Sequence, residues 1–187
     1  MPKPPSKRTT KAPKPKQERL ANLPQHNLPS PYAQLMTLGG SEEQDALYEE
    51  MALQLKEGDS AEAVNTLIEI ALDSTWYSYV DFDTYPEDKD PFADEPRLST
   101  PLHALGVLRY MEEAFVPQMA RLLPLFEAQD ETLAEEVGYL LGAMGEPAFQ
   151  LLSATLKESS NSTAIRSGAV DALLVVAEAT PELEEAC

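Results

Sequence analysis

Three stretches of the chain repeat one pattern: TPLHALGVLRYM (100–111), ETLAEEVGYLLGAMG (131–145) and TAIRSGAVDALLVV (163–176). They begin 31 and 32 residues apart, and each opens a run of apolar residues at helical spacing. That period is the length of a pair of helices, and such a pair buries its apolar face by stacking on neighbouring pairs. The pattern predicts an all-α fold, a short α-solenoid of antiparallel helix pairs, with its repeats over residues 100–187.

Proline marks the second helix of a pair. Pro117 and Pro147 each fall in a predicted first turn, where the missing backbone N–H costs no hydrogen bond. Thr100, followed by Pro101, is expected to cap the first helix. The predicted helices run from Thr100 to about Met111, around Pro117 with an apolar stripe to Phe126, from Glu131 to Ala143, from Glu146 to Lys157 and from Thr163 to Glu178.

An earlier and less regular helix pair is predicted over residues 32–73. Leu47, Met51 and Leu55 recur four residues apart, so we expect this stripe to face inward. Gly58 should end the helix, and Asp59 should cap the next one.

The repeated unit has a resemblance to a known family. LHALGVLRYMEEAFVPQMARLL, VGYLLGAMGEPAFQLLSATL and RSGAVDALLVVAEATPELEE each join an apolar helix containing Ala or Gly to a second helix started by proline. This unit, over residues 100–186, resembles the short HEAT-like repeats first recognised around phycobilin lyases. Its motif order is similar to that of uncharacterised bacterial HEAT-like proteins, some of which end in a cysteine-rich metal-binding motif that this chain lacks. The resemblance implies an armadillo-like α-solenoid, and lyase activity does not follow from a repeat.

The amino-terminal segment 1–31 differs from the rest in charge and composition. It holds eight prolines and seven basic residues against Glu18, a formal charge of +6, whereas the whole chain carries −18 and residues 32–187 therefore carry −24. Such a segment is expected to be disordered and locally polyproline II. It is either a basic tether for nucleic acid or an acidic surface, or a solubilising tail. The basic residues that would act electrostatically are Lys3, Lys7, Arg8, Lys11, Lys14 and Lys16.

Residues 74–99 form a predicted loop in which aromatic and acidic residues concentrate. Because Trp and Tyr are favoured at interface hot spots, an acidic rim around these rings would suit a basic partner. The alternative is that the rings cover the open end of the first helix pair. The candidate partner-binding residues are Trp76, Tyr77, Tyr79, Asp81, Phe82, Asp83 and Tyr85.

The remaining residue types favour no reaction. Cys187 is the single cysteine, so no intrachain disulfide is expected, and a reducing compartment, the cytoplasm, is the default. His26 and His103 lie in different contexts and predict no metal site; His103 is expected on a helix face. The acidic loop lacks the pattern of an EF-hand. No apolar run approaches the roughly 20 residues that span a bilayer.

These observations favour a non-catalytic protein-interaction module or scaffold with no cofactor, whose acidic solenoid surface binds a protein with a basic surface. The alternative is a nucleic-acid-associated protein that binds only through its basic tail, because residues 32–187 carry a negative charge that repels nucleic acid. A lyase or chaperone for a tetrapyrrole-carrying protein follows from analogy alone. The composition predicts neither membrane association nor an oligomeric state.

Overall fold

The computed structural model describes residues 26–38, 44–76, 96–128 and 131–180, and these residues form helices and no strands. The α-helices in these ranges are α1 (Gln44–Lys56), α2 (Ser60–Leu72), α3 (Thr100–Arg109), α4 (Glu112–Phe115), α5 (Glu131–Gly142), α6 (Glu146–Lys157) and α7 (Thr163–Ala179). Segments of 3-10 helix span Tyr32–Met36, Ser74–Trp76, Pro96–Ser99 and Val116–Glu127. The all-helical prediction is therefore confirmed for the described residues.

Helix starts follow the capping chemistry of the sequence in most places. The Asp59 carboxylate accepts hydrogen bonds from the backbone N–H groups of Ala61 (3.0 Å) and Glu62 (3.1 Å), as predicted. Ser162 caps α7 by accepting from the N–H of Ile165 at 3.2 Å. The prediction for Thr100 was wrong, because this residue is the first of α3, after Ser99, and its buried hydroxyl has no hydrogen-bond partner among the described residues.

The helix predicted around Pro117 is not a regular α-helix. Val116–Glu127 is 3-10 throughout and contains Pro124. Proline cannot donate a backbone hydrogen bond, and its ring crowds the carbonyl one turn earlier, which disfavours an α-helical interior. The sequence located this element correctly and missed its geometry.

The helices pack in two rows. Helices α1, α3, α5 and α7 contact one another in that order, while α2 contacts Val116–Glu127, which in turn contacts α6. Each member of the second row also packs on the next member of the first: α2 on α3, Val116–Glu127 on α5, and α6 on α7. One continuous apolar core, extending from Leu35 to Val176, results from this arrangement.

The predicted inward stripe of α1 was partly wrong. Met51 and Leu55 are buried, but Leu47 is 37% exposed and Tyr48 takes the inward position. Residues 48, 51, 52 and 55 share one face of α1. Tyr48 points inward because its hydroxyl bonds to His103 in α3, and the spacing of apolar residues carries no information about that contact.

Candidate functional site

The predicted partner-binding loop lies mostly outside the described residues. Only Trp76 is described; Tyr77, Tyr79, Asp81, Phe82, Asp83 and Tyr85 are not. The basic tail residues Lys3, Lys7, Arg8, Lys11, Lys14 and Lys16 also lie outside the described ranges. The roles predicted for these residues therefore remain predictions.

Trp76 is buried, with 1% of its surface exposed. Its ring stacks on the ring of His26, with centroids 3.6 Å apart and planes 15° from parallel. His26 Nδ1 also lies 3.6 Å from a carboxylate oxygen of Asp73, in the turn that follows α2. Within the part of the chain that the structure describes, the indole N–H has no hydrogen-bond partner. Trp76 therefore packs at the end of the helix pair formed by α1 and α2. This position agrees with the alternative interpretation of the loop, in which its rings cover the open end of that pair.

A buried hydrogen-bonded relay joins α1, α3 and the segment before α1. The Tyr48 hydroxyl lies 2.7 Å from His103 Nδ1, and His103 Nε2 lies 3.0 Å from the carbonyl oxygen of Leu38. A carbonyl only accepts, so Nε2 donates and neutral His103 accepts from Tyr48 through Nδ1. Burial lowers the pKa of His103, which favours this neutral form.

The relay borders a polar pocket of about 300 Å³ between α1, α3 and α5. Asp45, Arg109 and Glu136 reach this pocket, and Arg109 lies 4.0 Å from Glu136. Burial, followed by the nearby Glu136 and Asp45, raises the pKa of Tyr48 to about 12. The phenol therefore stays protonated at neutral pH, and both His103 nitrogens are engaged in hydrogen bonds. This arrangement is suited to holding helices together rather than to moving protons.

A larger groove of about 640 Å³ lies between α5 and α7, beside the end of Val116–Glu127. Three carboxylates line it, from Glu131 and Glu135 on α5 and Asp171 on α7, and its lining includes no lysine or arginine among the described residues. Tyr139 also lines the groove and is 55% exposed. The groove therefore offers negative charge beside an accessible aromatic face.

Small residues create the space in this groove. Ala134 and Gly138 are one turn apart on α5, and Ala164 and Gly168 are one turn apart on α7. A Cβ atom added to Gly138 would meet no atom within 4 Å, so this position opens into empty space. Short side chains on both walls thus leave a channel that larger residues would fill.

Two glycines beside the groove lie in close contact with neighbouring side chains. A Cβ added to Gly142 would lie 2.4 Å from a methyl carbon of Val175, and one added to Gly168 would lie 2.2 Å from the ring of Phe126. Such distances leave no room for a side chain, so glycine permits the close approach of α5, α7 and Val116–Glu127. The tight contacts hold the walls in place while the open part remains accessible.

This groove was not predicted from the sequence. The signal available was the spacing of small residues four apart on α5 and α7, together with Tyr139 between buried neighbours. Small residues at helical spacing also occur in ordinary cores, so the pattern alone did not separate a groove from a close packing contact. Only the positions of α5 and α7 relative to each other distinguish a groove from a close packing contact.

The described residues include neither a metal-binding cluster nor a membrane-spanning helix. No group of three or more His, Cys, Asp or Glu side chains there is arranged to hold a metal ion. The helices in these ranges include none long and apolar enough to cross a membrane. Comparisons of the chain with protein-family profiles, curated proteins and solved structures found no match.

Proposed function

We propose that this chain is a non-catalytic protein-interaction module, a short HEAT-like solenoid whose α5–α7 groove binds a basic, extended segment of a partner protein. The two rows of helices support the solenoid part of the proposal, because each helix contacts the next in its own row and the preceding pair. An interaction in the cytoplasm fits a chain with a single cysteine.

The observation that carries the proposal is the composition of the groove. Three carboxylates and an exposed tyrosine surround an open volume, and the basic groups that would neutralise them are absent from the described lining. A lysine or arginine side chain entering the groove would gain charge-assisted hydrogen bonds. The Tyr139 ring would add a cation–π contact of about 0.5–1 kcal/mol at such an exposed site.

The charge of the rest of the molecule supports the same class of partner. Residues 32–187 carry a formal charge of −24. A field of this sign speeds the approach of a basic protein and slows that of nucleic acid. Long-range charge would thus bring the partner to the surface, and the groove would select an extended segment that places a cation beside Tyr139.

Fluorescence anisotropy with a labelled peptide of alternating lysine and proline tests this function. The full chain should bind the peptide more tightly at low salt than at moderate salt. The double variant Glu135→Gln, Asp171→Gln should bind about tenfold more weakly, which corresponds to about 1.4 kcal/mol. The matched control Glu49→Gln, Glu50→Gln removes the same charge from exposed positions on α1, outside the groove, and should retain most of the affinity.

Two outcomes would contradict the proposal. If the groove variant and the α1 control lose affinity equally, binding reflects overall charge and not the groove. If the full chain and all variants ignore the peptide even at low salt, a basic extended segment is not the ligand.

The second candidate function is nucleic-acid binding through the tail, favoured by its charge of +6. Affinity for single-stranded DNA should then fall steeply with salt, with a logarithmic slope of about −0.7 for each phosphate neutralised. Replacing the six tail residues Lys3, Lys7, Arg8, Lys11, Lys14 and Lys16 by glutamine should abolish the binding. DNA affinity that survives these substitutions would contradict both this candidate and the interaction-module proposal, because it would place nucleic acid on the acidic body.

A further inference from the structure

We infer that the α5–α7 groove is occupied in the free protein by the basic tail of the same chain, residues 1–25, which a partner must displace. The inference rests on the proposed function of the groove. The tail would be a ligand that every copy of the protein carries. Its contact with the groove would regulate access of a partner to the binding surface.

Charge complementarity is the first argument for the tail. The groove presents the carboxylates of Glu131, Glu135 and Asp171. The stretch KPPSKRTTKAPKPK, residues 3–16, contains six basic residues and no acidic one. Opposite charges that are held on one chain meet at a high local concentration, so even a weak attraction populates the bound state.

Reach is the second argument. The tail joins the described structure at His26, whose ring is fixed against Trp76. A polyproline II chain rises about 3.1 Å per residue, so Lys14, 12 residues before His26, can lie up to about 37 Å from it, and Lys11, 15 residues before it, up to about 46 Å. A compact body of about 155 residues has a radius of gyration of about 15 Å, hence a diameter of about 40 Å. The reach of these two lysines is therefore comparable with the diameter of the body, which allows contact with the groove.

The spacing of lysines and prolines also suits the groove. Polyproline II has three residues per turn, so Lys11 and Lys14 project from the same edge, about 9 Å apart. Glu131 and Glu135 are one helical turn apart on one wall, about 6 Å along the axis, and Asp171 stands on the other wall. Lysine side chains are long and flexible enough to span the difference between these two spacings. Pro13 lies between these two lysines in sequence, and proline favours the polyproline II conformation that this spacing requires.

Occupation in cis makes a quantitative difference to binding of a partner. A flexible tether gives an effective concentration of about 1 mM, and a tail with a dissociation constant of about 0.1 mM would then fill about nine-tenths of the grooves. A ligand that needs the empty groove would appear about tenfold weaker than its intrinsic affinity.

Full-length variants measure this difference, with a labelled peptide of residues 3–16 as the probe. Replacing the six basic residues of positions 3–16 by glutamine should raise the affinity for the probe about tenfold. The control, in which Lys3, Lys7, Lys11, Lys14 and Lys16 become arginine, keeps the tail charge and should bind like the wild type. Adding Glu135→Gln and Asp171→Gln to the glutamine variant should remove the gain, because the probe then meets a neutralised groove.

Zero-length crosslinking with a carbodiimide supplies a second measurement that needs no variant. It joins lysine amines to carboxylates that are in contact, and mass spectrometry should find Lys11 or Lys14 linked to Glu131, Glu135 or Asp171 in the monomer fraction. The yield should not depend on protein concentration, because the contact is intramolecular.

The outcomes separate this inference from the proposed function. Equal probe affinity for the wild type and the glutamine-tail variant, with loss only in the groove variant, would overturn the inference and leave the groove as a binding site. Crosslinks confined to dimers would overturn it in favour of exchange between two copies. If the glutamine-tail variant, which has nothing to compete with the probe, fails to bind it, both the inference and the proposed function are overturned.

Discussion

Helices α1–α3 are joined by polar and aromatic contacts, including the Tyr48 ring against Gly106, whereas the closest contacts of α5–α7 are at glycines beside apolar side chains. In the first region Tyr48, His103 and the Leu38 carbonyl form a buried relay, and Trp76 stacks on His26. In the second region the tightest approaches are at Gly142 and Gly168, where a side chain would overlap a neighbour. The first region leaves a polar pocket of about 300 Å³ beside the relay, and the second leaves a groove of about 640 Å³.

This difference separates two ways in which neighbouring helices of this protein are joined. Directional hydrogen bonds and a stacked ring pair fix the orientation of the amino-terminal helices. Gly142 lets α5 approach Val175 of α7, and Gly168 lets α7 approach Phe126, so these contacts hold the groove walls while the carboxylates and Tyr139 stay exposed. We therefore expect mutations to separate stability from binding: changes in the first region should unfold the protein, and changes on the groove wall should leave it folded.

Two aromatic substitutions test this separation most strongly. Trp76→Ala removes a ring that is 1% exposed, and losses for buried aromatic residues are typically about 3–5 kcal/mol. Tyr139→Ala removes a ring that is 55% exposed and should change the free energy of unfolding by less than about 0.5 kcal/mol. Urea denaturation followed by circular dichroism measures both. Similar losses for the two variants would show that the regions do not differ as described.

Two alanine substitutions at glycine compare contact and groove within the second region. Gly168→Ala brings a Cβ to 2.2 Å from the ring of Phe126, which must move, so we expect a net destabilisation of about 1–2 kcal/mol. Gly138→Ala enters open space and should stabilise α5 by up to about 1 kcal/mol through helix propensity. Thermal unfolding of both variants shows whether each substitution raises or lowers the melting temperature. Destabilisation by Gly138→Ala would mean that the groove is closed in solution.

The relay in the first region is tested by removing one hydroxyl. Tyr48→Phe keeps the ring packed against Gly106 but leaves His103 Nδ1 without a donor, which should cost about 1–2 kcal/mol. Tyr139→Phe removes an exposed hydroxyl and serves as the control, with an expected change below about 0.5 kcal/mol. Chemical denaturation of both variants measures the difference, and equal values would show that the relay adds no stability.

The sequence predicted the elements of this fold better than their contacts. The bounds of α6, the starts of α3, α5 and α7, and the Asp59 cap all follow from local signals, namely periodicity, proline and capping residues. Leu47 was wrongly placed inside because the inward role of Tyr48 depends on His103, which is 55 residues away. Local patterns carry no information about a partner at that distance.

Prediction of the site was limited by the same cause. Trp76 was a candidate for partner binding because tryptophan is common at interfaces, yet its ring is covered by His26, which the sequence places far from it. The groove depends on how α5 and α7 approach, and small residues at helical spacing allow both a tight contact and an open channel. Gly168 and Gly138 illustrate the two cases on neighbouring helices.

The smallest expected effect is a pH dependence that belongs to the first region alone. Burial lowers the pKa of His103 below its usual value of 6.5, so the unfolded chain binds this proton more readily than the folded one. The stabilisation from neutral His103 is therefore present above about pH 6.5 and is lost as the pH falls below it, by at most about 1.4 kcal/mol per pH unit. His103→Gln keeps a donor for Leu38 and an acceptor for Tyr48 but removes the titration. Since His26 and the carboxylates are common to both proteins, the difference in unfolding free energy between wild type and variant isolates the histidine. That difference should shrink or reverse from pH 7 to pH 5.5, and a constant difference would show that His103 carries its proton equally in both states.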